Sequence, residues 1–291
     1  MPLSALVPDL PAGVAPAAPS AVSEAYARLT EVFPGLAVEE LGPAQAAPED
    51  GGWVGAARLA EGGAELDAFL AWDEEQVLRD YGQRARPDVV ASFGLHRYAW
   101  PACLLITVPW FLLRRVPRLP VEHVTYQRAL GRMAVRVEEF ACLPDDPAAG
   151  LPGARVVPDE AALEAEVRAA VAEHLEPVLG GFGPRMRRRG RALWGMATDE
   201  VVEGLWYVAH LLGEERRAMR ELERLLPGTT KPYAGSAAFR ELTGPDGEAL
   251  PTRDRASCCL FYTLRPEDTC VTCPRTCDTD RVAKLTASAA G

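Results

Sequence analysis

Apolar positions along the chain recur mostly at helical spacing. From Ser20 onward, Val22, Tyr26, Leu29 and Phe33 share one face of a predicted helix that Pro34 ends, and the Pro- and Gly-rich stretch GPAQAAPEDGG follows as a loop. Ala64 to Tyr81 reads as a second helix. A third begins near Pro87 and Asp88 and carries apolar side chains toward the run Trp100 to Leu113, where Pro109 is expected to bend or interrupt it. Beyond Pro120, VEHVTYQ and MAVRVEEFACL mix alternation with β-branched residues on either side of ALGR, which predicts a hairpin and the one persuasive sheet of the sequence. Asp159 to Leu179 is strongly periodic, with Leu163, Val167, Ala170, Val171 and His174 around one face. A further helical stretch runs from about Arg188 to Leu226, with Gly195 or Gly213 as its candidate break. The last 65 residues are rich in Gly, Pro, Asp and Thr, and no internal repeat is visible.

This pattern predicts an α+β fold in which helix predominates. A flexible, Pro- and Ala-rich arm over residues 1–19 precedes a helical body over 20–250 with a small antiparallel sheet, and a short segment over 251–291 closes the chain. With 291 residues and 48% apolar composition the chain can fill a proper core. The run Trp100 to Leu113 covers 14 residues and includes Pro101 and Pro109, short of the roughly 20 that a membrane-spanning helix needs, so it reads as core and no membrane span is expected. The N-terminus, MPLSALVPDLPAGVAPAAPS, has no basic region and many prolines, which predicts a cytoplasmic protein. A formal charge of -10 repels phosphate backbones and anionic headgroups, and nucleic acid is not an expected partner.

The cysteines change the picture more than the composition does. Of the seven, Cys103 and Cys142 stand alone in apolar surroundings and read as small core residues, whereas Cys258, Cys259, Cys270, Cys273 and Cys277 crowd into twenty residues. Cys258 and Cys259 are followed by ten residues, Cys270, two residues and Cys273. Four thiolates, two for each iron, are what a two-iron two-sulfide cluster requires. A Cys-x-x-Cys clip alone serves zinc equally well. The vicinal pair favours the cluster, because neighbouring side chains point apart on an extended chain and two metals offer separate anchor points. Zinc ligation, disulfides or free thiols remain the alternatives.

The spacing Cys-Cys-x10-Cys-x2-Cys resembles the C-terminal signature of the FhuF-like ferric siderophore reductase family, with Arg253 and Arg255 before it, the aromatic pair Phe261 and Tyr262 within it, and Pro274 after the last cysteine. Upstream, LWGMATDEVVEGL is similar to the family's Trp-Gly segment. The resemblance implies a 2Fe-2S cofactor held by Cys258, Cys259, Cys270 and Cys273; Cys277 departs from the four-cysteine pattern, as a spare thiol or a substitute ligand. It also implies one-electron reduction of ferric iron in a siderophore, hydroxamate chelates being favoured for their easier reduction. The chain shows no dinucleotide-binding fingerprint, Walker sequence, nucleophile elbow or zinc-protease motif, so the electron donor is expected to be another protein. A zinc-stapled binding module and an iron-sulfur protein of a biosynthetic pathway are the rival functions.

Other features weigh less. Arg185, Arg187, Arg188, Arg189 and Arg191 form a dense basic run that can dock an anionic chelate or an acidic electron carrier, or stand as a solvated turn. Trp206 and His210 share a helical face with Tyr207 beside it, and read as core more readily than as pocket. His96, His123 and His174 lack ligand spacing and receive no role, and LGGFGP, placed after a helix, is no phosphate loop.

Overall fold

The computed structural model describes residues 19–289. The proposed arm over residues 1–19 thus lies, but for its last residue, outside the described residues. In chain order the elements are α1 (Ser23–Val32), β1 (Ala37–Glu40), β2 (Trp53–Gly55), α2 (Ala56–Glu61), α3 (Ala64–Tyr81), α4 (Pro87–Leu113), β3 (Arg115–Pro117), β4 (Val124–Gln127), β5 (Arg132–Val135), β6 (Phe140–Cys142) and β7 (Ala154–Val156). They continue with α5 (Glu160–Met186), α6 (Arg191–Leu211), α7 (Glu215–Leu225), β8 (Phe239–Thr243), β9 (Ala249–Arg253) and α8 (Asp278–Ala289). The fold is α+β with helix predominant, as the periodicity predicts.

The core is organised around α4, against which α1, α3, α5 and α6 all pack. At 27 residues it is long and apolar enough to cross a membrane, but 78% of its most apolar window is buried inside the protein. Of the two outcomes expected at Pro109, interruption does not occur: the helix runs through both Pro101 and Pro109 to Leu113. Proline at 109 removes the N–H that would bond the Leu105 carbonyl. The Tyr26 hydroxyl of α1 donates to that carbonyl at 2.9 Å instead, so no buried acceptor is left bare.

α5 likewise outruns its predicted end. Asp159 caps it by accepting from the Ala162 N–H at 2.8 Å, and it continues through Pro177 and Pro184 to Met186. LGGFGP therefore lies within the helix and not after it. The glycines there serve packing: a Cβ on Gly181 would stand 2.4 Å from the Leu59 carbonyl of α2. The stretch from Arg188 breaks into α6 and α7 at Gly213, whose φ of +74° suits glycine, while Gly195 stays helical.

The predicted hairpin is β4 with β5, paired from Val124↔Val135 to Gln127↔Arg132. It is not the only sheet. β1 adds in parallel to β5 and β2 antiparallel to β4, giving the order β1-β5-β4-β2. The second half of MAVRVEEFACL leaves this sheet and forms β6 between β3 and β7, and β8 pairs with β9 near the C-terminus. These strands are three to five residues long, too short for alternation to mark them. β9 crosses residue 250, so body and cysteine segment share a strand.

Candidate cofactor site

The segment between β9 and α8 has little regular structure beyond one short turn of helix, Phe261–Thr263. Side chains from distant elements fix its path. Asp199 of α6, fully buried, accepts from the backbone N–H groups of Ala256 and Ser257 at 2.9 and 2.8 Å and from the Ser257 hydroxyl at 2.8 Å. The same carboxylate pairs with Arg253 at 2.9 Å, and Arg253, itself 0% exposed, also donates to Glu203 at 2.8 Å. Asp199 thus holds Arg253, Ala256 and Ser257 on the approach to Cys258. From α4, the Ser92 hydroxyl donates to the Cys259 carbonyl at 3.0 Å.

The Cys270 to Cys273 half has a separate anchor. Arg281 of α8, buried, donates to the carbonyls of Cys273 and Thr276 at 3.0 and 3.1 Å and to Asp254 at 2.7 Å. Thr276 returns a hydroxyl bond to the Cys270 carbonyl at 2.9 Å. The aromatic residue Phe261 meets Tyr81 and Phe93 in ring contacts, and Leu264 closes a small apolar cluster with Val77 and Val89. The cysteine loop is therefore packed against α3, α4, α6 and α8.

The thiols approach one another along this path. Cys258 and Cys270 both lie within electrostatic reach of Cys259, and Cys273 within reach of Cys270. Burial pushes the Cys259 thiol up, partly offset by a bond from the Phe261 N–H. The Arg275 N–H points at the Cys273 sulfur at 3.4 Å. In each half, then, the residue two places after the second cysteine offers its N–H to that sulfur, an arrangement that favours thiolate over thiol. Among the described residues, no group of three or more His, Cys, Asp or Glu is gathered around a single point as for one ion. The donor set and its N–H partners fit a cluster in which each iron takes two thiolates. Cys277 is exposed at the foot of α8, and Cys103 and Cys142 are buried in the core as expected.

Beside Cys259 and Cys270 opens a cavity of about 510 Å³. Its walls include the aromatic residues Trp72, Tyr81, Phe93, Trp100 and Phe261, and its polar lining includes His96, Arg97, Arg128 and Arg255. His96 Nδ1 stands 2.7 Å from buried Glu200. Burial pulls the imidazole pKa down, but the adjacent Glu200 carboxylate outweighs it and leaves the pKa above its ordinary value. Arg128 lies 4.0 Å over the Trp72 ring and donates to Asp73 at 2.7 Å, while Arg97 reaches the same carboxylate at 3.0 Å. Arg255 is 3.5 Å from Asp199.

Residues 255–275 match the FhuF 2Fe-2S C-terminal domain. The match spans Cys258, Cys259, Cys270 and Cys273 and ends before Cys277. The cofactor of this FhuF-type domain is a 2Fe-2S cluster, which makes the chain an iron-sulfur redox protein in broad class. No curated protein matches the chain.

The structure treats the other sequence candidates unequally. None of the basic run lines the cavity: Arg185 bonds Asp67 at 2.7 Å, Arg188 approaches the Met196 sulfur at 3.4 Å, and Arg187, Arg189 and Arg191 are exposed at the turn from α5 to α6. Trp206 is half-buried against Phe239, and His210 is exposed, so this face is not fully core. Tyr207, 45% exposed, packs on Phe33 and Trp100 behind the cavity wall. His174 is a core residue, but His96, given no role from sequence, sits in the cavity. Nothing in the sequence pattern singles out Asp199, Arg281, Arg97 or Arg128, save one hint: the acidic triplet of TDEVVEG, Asp199, Glu200 and Glu203, set in an otherwise apolar helix stripe.

Proposed function

We propose that this chain is a cytoplasmic ferric-siderophore reductase, in which Cys258, Cys259, Cys270 and Cys273 hold the cluster and the adjoining cavity seats the ferric chelate. The observation that carries the reading is the shared wall: Cys259 and Cys270, one from each cysteine pair, line the cavity. A substrate there lies against the cofactor's own ligands. When bound, the cluster supplies single electrons without proton chemistry of its own. Ferric iron is hard and tightly held by oxygen donors, ferrous iron weakly, so one added electron loosens the metal.

The chain's residues supply the rest. Asp199 and Arg281 fix the two cysteine pairs in place. The aromatic walls exclude water from one side of the bound chelate, and Arg255, within reach of both Cys259 and Cys270, offsets negative charge where cluster and substrate meet. Electrons come from a separate donor protein, and the exposed Arg187, Arg189 and Arg191 offer an acidic carrier a docking patch.

The test is to purify the protein without oxygen, assay iron, sulfide and zinc, and follow reoxidation of the reduced protein by ferric chelates in stopped flow with a ferrous trap. About two iron and two sulfide per chain are expected, with fast reoxidation and stoichiometric ferrous capture. Serine at any of the four cysteines abolishes or destabilises the cluster, and Cys277→Ser spares it. Stoichiometric zinc without sulfide would establish the stapled module. An intact cluster that no ferric chelate reoxidises would move the function to biosynthetic redox chemistry.

A further inference from the structure

The cavity beside Cys259 and Cys270 has a charge pattern opposite to that of the molecule. The chain's formal charge is -10, yet no Asp or Glu lines this cavity, whereas His96, Arg97, Arg128 and Arg255 do. The accompanying carboxylates stand behind the wall. Asp73 and Asp199 are 0% exposed and Glu200 is 1% exposed. Arg97 meets its carboxylate through Nε and His96 through Nδ1, whereas the Nε of Arg255, 3.5 Å from Asp199, is buried without a hydrogen-bond partner. The Nη atoms of Arg97 and Arg255 and Nε2 of His96 have no hydrogen-bond partner among the described residues, and Arg255 is nine-tenths buried. Cations at a cavity wall backed by buried carboxylates, one of them a buried guanidinium with an unpartnered donor, are pre-arranged for an anion.

We propose that this cavity selects a ferric chelate of net negative charge, with catecholate or carboxylate oxygens around the metal, bound by Arg97, Arg255 and His96. The inference rests on the reductase reading and replaces the preference for hydroxamates that reducibility and the family resemblance suggest. The volume of about 510 Å³ falls within the range of small-molecule sites, and Trp72 and Trp100 add apolar aromatic surface to its wall, with Arg128 over the Trp72 ring. A cluster with four thiolates and two sulfides is itself negative, so the cations have a competing use as its counter-charge. Arg255 is among the leading charges on both Cys259 and Cys270, and Arg97 and Arg128 are not among the leading ones on either. Arg97, 40% exposed and at the cavity wall, therefore separates the two uses.

The experiment uses the cluster-loaded protein and gallium(III) chelates, redox-inert stand-ins for ferric ones, of a tris-catecholate, a citrate-type carboxylate and a neutral tris-hydroxamate. Binding is read by quenching of tryptophan fluorescence, since Trp72 and Trp100 line the cavity. One or both anionic chelates are expected to bind about tenfold or more tighter than the neutral one at low salt, and to weaken as salt rises. Arg97→Gln is expected to weaken anionic binding about tenfold and leave neutral binding and the cluster potential unchanged, with Arg97→Lys restoring most of the loss. Equal or tighter binding of the neutral chelate would overturn the inference, as would an Arg97→Gln protein whose cluster potential shifts while its anion affinity holds. If the neutral ferric hydroxamate binds and reoxidises the reduced protein while the anions do neither, charge selection fails and the reductase stands. If no chelate binds or reoxidises it, both fail.

Discussion

His174 shows how one buried side chain makes the fold sensitive to acid. Its Nδ1 lies 2.6 Å from the Leu119 carbonyl, which only accepts, so Nδ1 carries the proton and Nε2 accepts from the Tyr98 hydroxyl at 2.9 Å. The neutral ring is fully satisfied, and burial holds its pKa below the ordinary value. Below about pH 6.5 the unfolded chain takes up a proton that the native ring refuses, so stability is complete above that pH and declines as pH falls through it. Denaturant midpoints between pH 7 and 5.5 should therefore fall more steeply in the wild type than in His174→Gln, which has no proton to bind. Parallel slopes would show that His174 does not set this dependence. At the same scale, His96 has the opposite bias because it faces a carboxylate, Glu200, instead of a carbonyl.

At the scale of elements, two long-range bonds matter most. Tyr26→Phe removes the hydroxyl that serves the carbonyl freed by Pro109 and leaves that acceptor bare in the core. The expected cost is about 1–3 kcal/mol in urea denaturation, and an unchanged midpoint would mean that α4 satisfies Leu105 in another way. Asp199 joins α6, β9 and the strand-to-cysteine turn through four hydrogen bonds. Asp199→Ala leaves the buried Arg253 with only the partly exposed Glu203 as counter-charge, for an expected loss of about 3 kcal/mol, the low end for a broken buried pair. It also frees the backbone before Cys258, so visible absorption should bleach along with the fall in stability. Retention of full colour by a folded Asp199→Ala protein would remove its assigned positioning role.

For the whole molecule, the cysteine segment ties α3 and α4 from the first half of the chain to α6 and α8 from the second. A cluster bound only by the folded arrangement stabilises it by mass action. Removing iron with a chelator should therefore lower Tm and loosen residues 254–277 first, seen as faster amide exchange there than in α4 and α5. Equal exchange in the loaded and stripped protein would show that Asp199, Arg281 and the Phe261 contacts hold the loop without the cofactor.

What is local was legible in the amino-acid order. The helix over Ala64–Tyr81 falls at its predicted bounds because its apolar stripe ends at a glycine in the left-handed region, Gly82. The β4–β5 hairpin and the cysteine spacing are equally contained in short stretches, and a cluster signature is legible because ligation fixes spacing. Only the tertiary structure decided the rest. Whether a proline ends a helix depends on whether another element can serve the freed carbonyl, and in α4 that element is Tyr26, 79 residues away. β1 pairs with β5 in parallel across the first half of the chain, a partnership no four-residue strand can announce. The cavity gathers Arg97 from α4, Arg128 from the turn after β4 and Arg255 from the cysteine segment. In sequence each is one arginine among many in an acidic chain. Their joint positive face exists because the fold buries Asp73, Asp199 and Glu200 behind them.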